Sequence, residues 1–451
     1  MGVLSNLLVK KLSFFGKHSQ KNNSKGKEIM KKIFLFLIVL LSVLSVSACG
    51  GNDSTGDEEI EGEIVLKFWH GFTGTDGNNM ATMVDNFNKA YEGKIKVEVN
   101  RLDWDTLFTK FYQNKKNAKF SPNIIAVPAN RLGSVVERDM VVQMNDVMDT
   151  LELSQSDFID AAYNIGVIGE NRYSFPLDIH PTAIFYNKEI TGELEPFDTW
   201  EEFYAACAQY TEGDVFGWAI PNNYSITKDI YYSQLLQNGA SIIASDNSPA
   251  FNSATGVTIL NKLMDLKYGS NPVSSTTVSN GGDLTLFRAG KSAFYFDGPW
   301  MINTLKESCD FAEYGNLGVI PMPGSTGENG ISFAGSHQLC LAKNTVTNNS
   351  IRNACYTFFD YLSENALEWA QAGQVPARKS VHELAEYKAI PYLDAFTQTA
   401  YKANVGTTYS YFYEMYNYMG TAVSRALNNE KSAQAALDEQ VNNYKRWLAE
   451  Q

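Results

Sequence analysis

Between Ile64 and Met140 short apolar runs alternate with amphipathic segments, and this restricts the fold more than any other feature of the 451 residues. Ile64–Trp69 is an apolar strand candidate, followed by a polar loop, His70–Gly77. Met80, Met83, Val84 and Phe87 then recur at helical spacing, and Gly93 ends the run. Ile95, Val97 and Val99 alternate as a strand. Asp103–Phe111 reads as a helix, Ile124–Val127 as a buried strand and Arg131–Met140 as a further helix. Such β-α-β-α-β order predicts an α/β fold: a mainly parallel sheet flanked by helices.

The alternation restarts after Pro176. Thr199-Trp200-Glu201-Glu202 is a capping box that opens a helix through Tyr210. Strands are expected at Val215–Ile220, Ser292–Phe296 and Leu339–Ala342, helices at Ile226–Gln237 and Val257–Tyr268, and mostly helix from Ser350 onward. A chain of this length exceeds one compact core, so two domains are expected.

Upstream, Lys31 and Lys32 precede an almost wholly apolar run, Ile33–Val46, then small residues and Cys49. As a helix at ~1.5 Å per residue that run covers roughly 21 Å, short of the ~30 Å hydrocarbon core, so it reads as an export signal and not a membrane span. Residues 1–48 are therefore read as leader and signal peptide, with Met30 as a second start. Residues 49–62 (CGGNDSTGDEEIEG) form a polar, flexible tether. The formal charge is −13, and the leader holds Lys10, Lys11, Lys17, Lys21, Lys25 and Lys27, so the exported part is more acidic still. This acidity argues against nucleic acid as a partner, because phosphate neutralisation needs clustered Lys and Arg. Cys207, Cys309, Cys340 and Cys355 show no metal-ligand spacing and read as buried small hydrophobes.

Val46-Ser47-Ala48-Cys49 resembles the lipobox of bacterial lipoproteins, which implies lipidation at Cys49. A second resemblance rests on five segments. The loop Phe68-Trp69-His70-Gly71-Phe72-Thr73-Gly74 resembles the first strand and loop of family 1 extracellular solute-binding proteins, the carbohydrate receptors of ABC importers. Pro176-Leu177-Asp178-Ile179-His180-Pro181 resembles that family's first inter-lobe crossover, and Asp297-Gly298-Pro299-Trp300 its GPW turn. Gly335-Ser336-His337-Gln338-Leu339 resembles the strand near the second crossover, and Gln374-Val375-Pro376-Ala377-Arg378-Lys379 a late loop.

The resemblance implies a two-lobed periplasmic-binding-protein-like (type II) fold. One lobe would hold 60–180 plus 336–388, the other 181–335 plus 389–451. It implies a monomeric receptor, lipid-anchored on the extracytoplasmic face of the cell membrane, that passes a mono- or oligosaccharide to an ABC permease. No cofactor, metal or catalytic residue is implied.

Sugars present flat C–H faces and hydroxyls, so aromatic rings with carboxylates, amides and imidazoles suit them. Each neutral hydrogen bond adds only ~1 kcal/mol net, against ~8 kcal/mol for micromolar affinity, so several contacts must converge. Trp300 is the leading stacking candidate. Trp69 either stacks or belongs to the core. His70 offers a donor or acceptor, and Asp76 either caps the following helix or accepts hydroxyl hydrogen bonds. Asp178 and His180 face the cleft or make a hinge hydrogen bond. His337 is a ligand contact or a satisfied strand-edge histidine, and Arg378 pairs with a pocket carboxylate or stabilises its loop. Asp297, Trp104, Asn130, Tyr224 and Tyr413 complete the expected sugar-binding set. The competing class is an exported lipoprotein glycoside hydrolase, which needs two carboxylates ~5–9.5 Å apart; the sequence shows no motif that pairs them.

Overall fold

The computed structural model describes residues 62–222, 225–324 and 330–451. The leader, the export segment and Cys49 lie outside the described residues. The first alternating region folds as its pattern predicts. β1 (Ile64–His70) leads into α1 (Thr75–Ala90), and β2 (Ile95–Arg101) then pairs parallel with β1. α1 buries Met80, Met83, Val84 and Phe87 as one stripe. Asp103 caps α2 (Trp104–Gln113) by accepting the Thr106 N–H at 2.9 Å. β3 (Ile124–Pro128) is apolar throughout, nearly all buried, and parallel to β1. α3 (Ala129–Glu137) follows it directly.

The chain then changes sheets twice in quick succession. β4 (Phe175–Pro176) belongs to the first sheet, β5 (Asp178–Pro181) to a small one, and β6 (Ala183–Asn187) to a third. Thr199 caps α4 (Trp200–Gln209) by accepting the Glu202 N–H at 3.2 Å, while Glu202 itself reaches the N–H of Asp198. β7 (Phe216–Trp218), α5 (Ser225–Gln237), α6 (Ala254–Tyr268), β8 (Ser292–Asp297), α7 (Met301–Ser308) and β9 (Leu317–Pro321) complete the second region. The return runs through β10 (Ser332–Gly335) in the small sheet to β11 (His337–Leu341) in the first. α8 (Asn349–Glu364), β12 (Val375–Pro376), α9 (Leu393–Ala400), β13 (Ala403–Asn404), α10 (Phe412–Leu427) and α11 (Ala433–Leu448) follow.

The sheet orders are β2-β1-β3-β11-β4, β9-β6-β8-β7 and, for the small sheet, β12-β5-β10-β13. The fold is therefore two-lobed α/β, with the small sheet stitching together the segments that pass between lobes. One expectation needs correction. The second large sheet is not mainly parallel, because β6 runs antiparallel to both β8 and β9. β6 enters from the small sheet and runs away from it. β8 and β9 run back toward it, which brings Asp297 and Pro321 to the inter-lobe end.

Phe68, Phe87 and Phe358 pack edge to face beneath the first sheet. Phe203, Trp218, Phe294 and Phe296 fill the second lobe, with Met415, Met419 and Val423 of α10 closing it. The four cysteines of the folded part are buried and unpaired. Among the described residues no helix is long and apolar enough to cross a membrane.

Candidate functional site

Two cavities adjoin between the lobes and share one side chain, Trp300. The first, about 190 Å³, is lined by Asn130 at the start of α3, His180 of β5, Lys228 and Asp229 of α5, and Tyr416 of α10. The second, about 450 Å³, lies between the loop Gly71–Asp76 with Trp104 on one side and Trp300, Met301 and Thr304 on the other. Trp300 is held by its own turn. Met301 and Ile302 donate back to the carbonyls of Gly298 and Pro299, and the indole folds over Gly298 so closely that any Cβ there would strike it. Trp104 lies over Gly71 in the same way.

Of the expected residues, Trp300, Trp104, Asp76, Asn130 and His180 border these cavities. The Asp76 Oδ1 accepts the N–H groups of Gly74 and Gly77 at 2.9 and 2.7 Å at the start of α1, and the residue borders the larger cavity. The Asn130 Oδ1 is buried with no hydrogen-bond partner among the described residues.

Trp69, His70, Asp178, His337, Asp297, Arg378 and Tyr413 line neither cavity, so for Trp69, Asp178, His337 and Arg378 the structural alternative describes the residue and for His70, Asp297 and Tyr413 the expected place is corrected. Trp69 packs with Leu107, Phe108 and Val127, because strand alternation turns it to the face that α2 and α3 cover. His70 is buried too. Its Nδ1 accepts the Phe72 N–H at 3.3 Å, and burial, reinforced by Arg101 and His337, pushes its pKa down to about 3. Asp178 is fully buried and bonded internally. His337 packs beneath Trp104, with ring centroids 5.4 Å apart and planes 9° from parallel. Asp297 backs the Trp300 turn and lines neither cavity: it accepts from the Gly298 N–H at 2.8 Å and from the Tyr295 hydroxyl. Burial pushes its carboxyl up to about 6 against the pull of those donors.

Arg378 points elsewhere. It contacts Ser363 at 3.2 Å and Asp360 at 3.6 Å, both on α8, and its backbone bridges to the buried Phe158. Tyr413 is covered by the Arg131 guanidinium at 3.8 Å, and Arg131 also pairs with Asp105 at 3.1 Å, so this tyrosine joins α10 to α3. Tyr224 lies outside the described residues.

Sequence reasoning missed Lys228, Asp229 and Tyr416. The Lys228 ammonium sits 4.5 Å from the Tyr416 ring, and burial lowers its pKa. The Asp229 Oδ1 is buried without a partner, and burial, reinforced by Asp297 and opposed by Lys228, pushes its carboxyl up to about 7. A signal was available: the pair is charged within an otherwise uncharged helix, SITKDIYYSQLLQ.

Each cavity is lined by a single carboxylate, Asp229 in one and Asp76 in the other. The arrangement offers ring faces and hydrogen-bond acceptors in a partly enclosed groove, a geometry for holding a solute. The family described as bacterial extracellular solute-binding proteins matches residues 82–395. The chain belongs to that family. Such a solute-binding protein is not an enzyme, and the hydrolase alternative falls.

This member is 22% identical over 372 residues to the galactooligosaccharide-binding protein of Bacillus subtilis, covering 78% of this chain and 82% of the relative. Its fold matches the GacH receptor of Streptomyces glaucescens, solved unliganded and with acarbose. The TM-score is 0.72 at 19% identity, over 85% of this chain and 98% of that one. The sugar-binding protein MalE of Xanthomonas citri matches with TM-score 0.73 at 20% identity, over 86% and 99%. At such identities the two structures speak for the fold alone.

Proposed function

We propose that this solute-binding protein is an oligosaccharide receptor of an ABC importer, anchored by lipid at Cys49 and acting as a monomer outside the cytoplasmic membrane. The observation that carries the reading is the smaller cavity. Asn130 and Asp229 line it from opposite lobes, each with a buried Oδ1 that has no partner among the described residues, and the Trp300 ring borders both that cavity and the next. Buried acceptors without donors are costly, and a ligand rich in hydroxyl donors relieves both at once. The ring shared by two cavities suits a ligand of more than one sugar unit. The 22% identical relative that binds galactooligosaccharides favours the same class.

In this reading the lobes divide at 60–180 plus 336–388 and 181–335 plus 389–451, hinged on β5, β10 and β12–β13. Contacts made from both lobes favour closure through differential affinity for the closed state. The closed receptor then docks on a permease, whose own subunits bind ATP.

The test is a thermal-shift screen of the purified protein against mono- and oligosaccharides, followed by titration calorimetry. A shift with an oligosaccharide recovered intact supports the reading; a panel without any shift overturns it. Anchoring is tested separately. Cys49→Ser should move the protein from the membrane fraction to the soluble one, and continued membrane fractionation would refute the lipid anchor.

A further inference from the structure

The side chains of Asp178, His180 and His337 form a tight polar cluster beside the cleft. Asp178 is fully buried, and its carboxylate accepts four hydrogen bonds. Oδ1 takes the backbone N–H of His337 at 2.7 Å and His180 Nδ1 at 3.3 Å. Oδ2 takes His337 Nδ1 at 2.8 Å and Trp369 Nε1 at 2.9 Å. The donors come from three separate stretches of chain: β5, the start of β11, and the segment after α8.

We propose that Asp178 is a positioning residue for the cleft: it holds His180 and His337 as Nδ1–H imidazoles in one orientation, and through those rings it places Trp104 and Trp300. This rests on the reading of the cleft as a sugar site. An ionised carboxylate is acceptor-only, so each imidazole that faces it must carry its proton on Nδ1. Burial alone would raise the Asp178 carboxyl, but His337 and His180 hold it well below the usual carboxylate range, so it is ionised. Burial and the neighbouring His337 lower the His180 pKa, so that ring is neutral at physiological pH. Its Nε2 is then an acceptor, at a residue that borders the smaller cavity.

The rings transmit this placement. His337 supports Trp104 face to face, and Phe72 meets both edge-on, at 4.8 Å and 83° to His337 and 5.7 Å and 86° to Trp104. His180 stacks on His337 at 4.5 Å and meets Trp300 edge-on at 5.6 Å. One carboxylate therefore governs, through one imidazole each, a tryptophan on either wall of the larger cavity. The ligating atoms of the three residues lie within 4.8 Å of one another, a composition that also suits a metal ion. Here both carboxylate oxygens already accept two N–H groups each and both Nδ1 atoms face them, so the cluster is saturated as a hydrogen-bond hub.

Asp178→Asn in the full protein tests this. The amide keeps the shape but cannot accept from both Nδ1–H groups, so at least one imidazole must flip to the Nε2–H tautomer. The chain has only 5 histidines, which makes 15N-imidazole NMR tractable. The expected result is Nδ1–H for His180 and His337 in the wild type without sugar and a changed tautomer in Asp178→Asn. A loss of affinity of at least tenfold should accompany it, measured by calorimetry with maltotetraose or galactotetraose, whichever the wild type binds. Phe358→Leu, a core change in α8, should lower the melting temperature without moving tautomer or affinity.

A folded Asp178→Asn with unchanged affinity overturns the proposal, as does a wild-type spectrum with Nε2–H on either ring. If Asp178→Asn does not fold, the wild-type spectrum decides alone. If the wild type binds neither tetraose, that counts against the sugar reading, and the sugar-free tautomers still decide the hub.

Discussion

Asp178 in the small sheet is fully buried and Asp229 on the cavity wall is half-buried, and the two carboxylates stand in opposite circumstances. Asp178 accepts four hydrogen bonds and is driven far toward the ionised form by two histidines. Asp229 has an oxygen with no donor and is pushed up to about 7 by burial. A saturated carboxylate belongs to the scaffold. An unsaturated one on a cavity wall is free to take a donor from a ligand, since proteins rarely leave such a group unpaired. Under the proposed function, the contrast separates a residue that builds the cleft from one offered to its contents.

The largest expected effect tests the reading side at its centre. Trp300→Ala removes the ring common to both cavities. Roughly 100 Å² of apolar contact at about 25 cal/mol per Å² is about 2.5 kcal/mol, or nearly a hundredfold in the dissociation constant. Calorimetry with the best oligosaccharide checks it, and unchanged affinity would remove Trp300 from the site. Next comes Asp229→Ala, which deletes an acceptor to the ligand; a hydrogen bond to a charged group is worth ~1.5–3 kcal/mol, so a loss of at least tenfold is expected.

The two carboxylates should also give opposite pH slopes in ligand-free stability. Asp229 binds its proton more tightly folded than unfolded, so its contribution falls as pH rises from about 4 to about 7 and stays low above that. Asp229→Asn should therefore melt higher than the wild type at pH 8, with the difference fading toward pH 4. Asp178 is shifted the other way, so its contribution is present above the unfolded carboxylate range and is lost as pH falls. Thermal melts across pH 4–8 show whether the Asp229 advantage exists. The smallest effect is expected at Arg378. Arg378→Ala should lower stability by about 1 kcal/mol through its lost contacts with Ser363 and Asp360, while sugar affinity stays within about twofold.

Much of the architecture was legible because it rests on local periodicity. The stripe of α1, the Asp103 cap and the uninterrupted apolar run of β3 each announce themselves within a few residues. The small sheet does not, since its strands are two to four residues long and pair across wide sequence distances. The site was legible in part. Trp300 was placed at the cleft because a glycine turn beside an aromatic is a local signal, whereas Trp104 meets Gly71 only through space. Asp229 escaped because a carboxylate in a helix is ordinarily solvated, and its burial comes from α10 and the opposite lobe. Trp69, Arg378 and Tyr413 were expected at the cleft because motifs place residues along the chain, whereas the direction a side chain takes depends on strand alternation and on what packs beside it.

From composition and local pattern alone, the chain's α/β class, its two-part build, its acidic character and its supply of rings and carboxylates were already determined. Only the tertiary structure decided which carboxylate is satisfied and which is left open. That distinction depends on donors that residue 180 brings to Asp178 from the same strand and residues 337 and 369 bring from distant stretches of chain, and that no described residue brings to the Oδ1 of Asp229.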